Sequence, residues 1–154
     1  MRSLLALLLL AGPAQAEEAW TGFYTCAQGQ TGPTLTVEVG AGGAASALFH
    51  FYGNGFTTSK ALEGCFSMTG RVDRATGHVD LQGEHWLLHP DGYVTVDLHG
   101  NIQSLDVTGR SDKLNVMTGT VAGPGCSEFF LTRSQTLSSD LRHPPSACYG
   151  ASLS

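Results

Sequence analysis

Thr34-Leu35-Thr36-Val37-Glu38-Val39 sets three aliphatic side chains on one side of an extended chain and three polar ones on the other. Successive side chains of a strand point to opposite faces, so this alternation predicts a strand with one buried face. The pattern recurs outward in both directions. Upstream, Trp20 to Cys26 alternates. Downstream follow Phe49 with Phe51, Phe66 with Met68, Val79 with Leu81, Val94 with Val96 and Leu98, Leu114 with Val116, and Phe129 with Leu131. The connections agree. Asp73-Arg74-Ala75-Thr76-Gly77 places a glycine at the end of a short hairpin turn, Pro90-Asp91-Gly92 is a strong turn signal, and Gly40 to Gly43 and Ser111 to Lys113 separate further runs. Twenty glycines and 14% charged residues suit the same reading. No helical period of useful length follows residue 16. The expectation is an all-β domain of about eight antiparallel strands in a meander, either a closed barrel or a two-sheet sandwich. Met68-Thr69-Gly70 recurs as Met117-Thr118-Gly119. If the echo is structural, it marks corresponding strands of two halves, with the glycines permitting sharp coiling.

The start of the chain reads differently. Met1-Arg2-Ser3 supplies a short positive segment, Leu4 to Ala11 an uncharged apolar run, and Ala14-Gln15-Ala16 the small residues that a signal peptidase reads. Residues 1–16 are therefore expected to be a signal peptide. The run of about eight apolar residues is far short of the ~20 that span a bilayer as a helix. No membrane span is expected elsewhere. The mature chain then begins at Glu17, with a β domain over 17–133 and a C-terminal tail over 134–154 that is rich in serine and contains Pro144-Pro145. Secreted, extracellular protein is the expected localisation.

An oxidising compartment decides how the cysteines are read. Cys26, Cys65, Cys126 and Cys148 are even in number and contain no C-x-x-C pair. Two disulfides are expected, with three possible connectivities. When a meander closes, its first and last strands become neighbours, which favours Cys26 with Cys126. Cys65 would then pair with Cys148 and tether the tail. The other two connectivities stay open at this point.

Without Arg2 the chain carries seven basic side chains against thirteen acidic ones, and the basic residues never cluster. Phosphate backbones are held by runs of positive charge, so nucleic acid is excluded as a partner. Oligomeric state is not readable.

The order Trp20-x-Gly22-x-Tyr24-x-Cys26-x-Gln28-Gly29, then Leu35-Thr36-Val37, Phe49-x-Phe51, Met68-x-Gly70, Trp86, Pro90-x-Gly92-Tyr93, Gly119-x-Val121 and Cys126-x-x-Phe129-x-Leu131-x-Arg133 spans roughly residues 20–133. It resembles a small, poorly characterised β module of secreted proteins that is also appended to bacterial caspase-like proteases. The resemblance implies an all-β fold and a non-catalytic role. In that module cysteines stand at the positions of Cys26 and Cys126; Cys65 and Cys148 are additions of this chain.

Candidate chemistry is sparse. His85-x-x-x-His89 would share a helix face as a zinc site requires, but on a strand the two lie about 13 Å apart at ~3.3 Å per residue. His50, His78, His85, His89, His99 and His143 are therefore read as surface residues on polar strand faces, and no metal or cofactor is expected. Asp80, Glu84 and Asp97 are the carboxylates that a hydrolase would need to converge in a groove. No G-x-S-x-G elbow is present, and the thiols are expected to be oxidised. The aromatic residues are more promising. Trp86 and Tyr93 flank a turn, and Tyr52 and Phe56 flank the glycines of Tyr52-Gly53-Asn54-Gly55-Phe56. Such a platform suits a protein hot spot or a sugar ring. The leading expectation is a secreted, non-enzymatic recognition module for an extracellular protein or glycan. The alternative is a lipocalin-like carrier of a small apolar ligand; a carboxylate-dependent hydrolase is third.

Overall fold

Each alternating run forms a strand. A computed structural model describes residues 17–53, 62–106, 113–134 and 144–149. The strands are β1 (Glu17–Cys26), β2 (Gly29–Val39), β3 (Ala44–Tyr52), β4 (Gly64–Val72), β5 (His78–Leu88), β6 (Asp97–Leu105), β7 (Leu114–Ala122) and β8 (Glu128–Arg133). Every strand pairs antiparallel with its sequence neighbour, and β1 also pairs with β8, from Trp20 opposite Arg133 to Tyr24 opposite Phe129. The meander is thus a closed barrel, which leaves no sheet edge exposed. Short 3-10 turns at Ala41–Gly43 and Ser146–Tyr149 are the helical pieces among the described residues. No helix there is long and apolar enough to cross a membrane.

The barrel has two ends. At the entry end β1 begins, β8 finishes, and the turns at 40–43 and 73–77 lie. At the far end lie the β1–β2 turn, the 89–96 connection and the β7–β8 turn. Cys26 bonds Cys126 and Cys65 bonds Cys148, so both disulfides clasp strand termini of the far end. The second ties the turn at Ser146–Tyr149 back to the barrel, where it packs against β5.

Inward residues fill the barrel. Phe49 lies between Tyr24, met edge-on at 5.1 Å, and Phe66, stacked at 5.0 Å. Leu35, Met68, Leu81, Leu98 and Leu131 have no exposed surface at all. A side chain bordering a void large enough for water would retain some, so the middle of the barrel is packed like a core. Tight curvature needs close strand approach, and the Gly100–Gly119 pair across β6 and β7 supplies it. A Cβ at Gly119 would meet the His99 carbonyl oxygen at 2.0 Å. The Met-Thr-Gly echo lies on β4 and β7, which run in opposite directions along the barrel. It therefore does not mark equivalent strands of two halves.

One strand boundary departs from the alternation. β6 begins at Asp97, and Val94 lies outside it, exposed. Pro90 has no N–H for a ladder and its carbonyl accepts from the Tyr93 N–H at 3.2 Å, so the chain turns before β6 can pair.

Burial of Tyr24 carries a pH signature. Desolvation pushes its phenol well above its ordinary value, with Tyr93 adding to the shift and hydrogen bonds with Thr31 and Gln28 opposing it. The native state therefore holds this proton after the unfolded chain has lost it. The associated stability is complete below about pH 10 and declines as pH rises further. Urea unfolding between about pH 8 and about pH 11 should show this decline, and Tyr24→Phe should flatten it. An unchanged slope in the variant would contradict the assignment.

Candidate functional site

The far end gathers the aromatic residues, and a bulge delivers the most important of them. Met68 pairs with Gly83 but Phe66 pairs with Trp86, so β5 gains a residue against β4 over this stretch. One extra residue reverses which side chains face the core. Val79 and Leu81 face inward at odd positions, yet beyond the bulge it is Trp86 that turns toward Phe66 at 5.1 Å and Phe51 at 6.0 Å. His85 stays exposed.

Three groups then complete the rim. The His89 ring lies flat on Trp86, with centroids 4.2 Å apart and an 8° interplanar angle. His89 Nε2 donates to the Tyr93 carbonyl at 2.6 Å, which places the ring proton on Nε2, since a carbonyl only accepts. Tyr93 stacks on Phe51 at 5.4 Å, and its hydroxyl accepts from the Leu62 N–H at 3.2 Å. The hydrogen bonds join the 89–96 connection to the segment before β4. Leu62 and Val94, 52% and 54% exposed, add unshielded aliphatic surface beside these rings.

Of the four aromatic residues singled out from sequence, Trp86 and Tyr93 converge on Phe51. Tyr52 does not join them. It follows Phe51 on β3 and so faces the outside, where its hydroxyl bonds Thr34 Oγ1 at 2.9 Å and its ring lies 4.9 Å from His50. Phe56 lies outside the described residues. The reading of His50 as a surface residue is corrected: it is fully buried, with Nε2 2.9 Å from a Glu63 carboxylate oxygen. An outward strand position becomes interior here because residues beyond the sheet cover it. His78, His85 and His89 are exposed, and His99 is partly so. His143 lies outside the described residues.

The carboxylates are engaged locally. Asp80 meets His99 at 3.0 Å, Glu84 accepts from the Thr69 hydroxyl, and Asp97 accepts from the Gly83 N–H at 3.0 Å. Among the described residues, no three His, Cys, Asp or Glu side chains are placed to share a metal ion.

Sequence reading missed the entry end. A cavity of about 300 Å³ opens there, lined by Glu18 and Trp20 of β1, Arg74 to Gly77 of the β4–β5 turn, Ile102, Ser104, Asn115 and Arg133. Glu18 is buried, ion-pairs with Arg74, and lies 3.8 Å from Arg133. Nothing local marks this: Arg74 stands 56 residues from Glu18 in sequence. The one available signal is a charged residue at an inward position of β1, two before Trp20.

Comparison with known protein families, curated proteins and solved structures returns no match.

Proposed function

We propose that this protein is a secreted, non-enzymatic recognition module that engages an extracellular protein partner through the far end of its barrel. The observation that carries this reading is the Trp86–His89–Tyr93 rim. Aromatic rings held in fixed orientation beside exposed Leu62 and Val94 have the composition of a protein hot spot. Both disulfides clasp the same end, so little ordering entropy is lost on docking. A glycan is the weaker choice because a sugar needs a free aromatic face. One face of Trp86 carries His89, and the Tyr93 ring lies parallel to Phe51. The resemblance to the secreted β module supports a non-catalytic role. The locally engaged carboxylates lend nothing to a hydrolase.

The carrier reading needs an apolar void within the barrel. Phe49, Phe51, Phe66 and Phe129, each at most 2% exposed, occupy that space instead. The cavity at the entry end has the volume of a small-ligand site, but its charged lining does not suit an apolar cargo.

Immobilised protein incubated with extracellular fluid should retain a partner. Val94→Asp, at an exposed position, should weaken retention about tenfold or more by placing a charge within the patch. A glycan array should stay blank. Retention unaffected by Val94→Asp, or glycan binding that survives Trp86→Ala, would overturn the proposal.

A further inference from the structure

We infer that the entry-end cavity is a binding site for a small organic carboxylate, independent of the recognition surface at the opposite end. The charges do not balance. Among the described residues of the lining, the Arg74 and Arg133 guanidiniums face the single carboxylate of Glu18, which leaves one excess positive charge there. Glu18 is buried, whereas the two arginine side chains are 52% and 40% exposed, so the surplus charge lies toward the opening. A second observation points the same way. Trp20 lines the cavity and is 2% exposed, yet its indole N–H meets no acceptor among the described residues. Buried donors are nearly always paired, and an indole N–H can only donate. Arg133 is the direct cross-strand neighbour of Trp20 and is also a donor only. The guanidiniums favour an anion at this site, and the indole N–H lacks an acceptor of any kind.

The class of anion follows from charge and shape. A planar guanidinium matches a carboxylate fork, with two parallel N–H···O bonds. One surplus positive charge is neutralised by a monoanion; a phosphate monoester carries about −1.5 to −2 and would leave the site negative. Ile102 offers apolar surface for the body of such an acid, and Asn115 an amide at its side.

The indole N–H gives a direct readout. The chain has two tryptophans, so Trp86→Phe identifies the Trp20 indole resonance by elimination. The disulfide-closed chain should be titrated with benzoate, with its neutral isostere benzamide, and with inorganic phosphate. Benzoate should move the Trp20 indole resonance saturably, and benzamide should not. Arg74→Gln and Arg133→Gln should each weaken benzoate binding about tenfold or more, the loss expected for a charge-assisted hydrogen bond. Arg74 lies in an exposed turn, so that variant tests the site even where Arg133→Gln disturbs the barrel seam. Equal responses to benzoate and benzamide, or none to either, would overturn the inference. Tighter binding of phosphate than of benzoate would overturn the assignment to monoanions.

Discussion

Replacing Cys26 and Cys126 by serine should lower the free energy of unfolding by about 4–5 kcal/mol, more than the loss of the second disulfide. The bond joins residues 100 apart in sequence. A cross-link closing so long a loop removes conformational freedom mainly from the unfolded chain. It also sits where the barrel closes, between the end of β1 and the turn leading into β8. Cys65 and Cys148 are 83 apart, and loop length alone would give nearly the same figure. Their removal should nevertheless cost less. Once that bond is gone, the turn at Ser146–Tyr149 can detach while the eight strands stay paired, so the native state gains freedom as well. Urea unfolding of the two double variants decides the point. Equal losses, or a greater loss at Cys65–Cys148, would contradict the role given to β1–β8 closure.

Phe49→Ala should cost about 3–5 kcal/mol, the range for deleting a buried aromatic ring from a core that cannot collapse around it. Phe49 pairs with Leu35 on β2 and Phe66 on β4 and meets the Tyr24 ring at 5.1 Å. These neighbours belong to different strands of a closed ladder, so none can move into the gap without breaking register. Phe49→Leu, which keeps most of the volume, should cost under about 1.5 kcal/mol. Denaturant midpoints at unchanged slope measure both. A loss for Phe49→Ala as small as that for Phe49→Leu would mean that the interior is loosely packed.

Strand number and order could be read from the chain because alternation is a local property. Leu35-Thr36-Val37 carries its own evidence of one buried face. Closure could not be read so directly. Barrel and sandwich differ in whether β1 meets β8, which depends on accumulated twist and register across the whole sheet. The cysteines do not decide it, because pairing Cys26 with Cys126 presupposes closure and three connectivities stay open in the sequence. Trp86 illustrates a different limit. Its inward orientation depends on the β5 bulge, which shows in sequence only as a break in alternation at Trp86-Leu87-Leu88. His50 lies between two inward phenylalanines and looks like a solvent-facing residue. Its burial comes from groups outside the sheet, Glu63 among them. Glu18 is the hardest case. It is the buried partner of a turn arginine that meets it across the barrel mouth, 56 residues away in sequence.

The interior of the barrel is occupied by its own side chains. Xenon under pressure, followed through the methyl resonances of Leu35, Leu81, Leu98 and Leu131, reports any apolar hollow within the sheet. The natural chain should show no site-specific shifts, whereas Phe49→Ala should show saturable ones beside the deleted ring. Saturable shifts at those leucines in the natural chain would reveal a hollow barrel and restore the carrier.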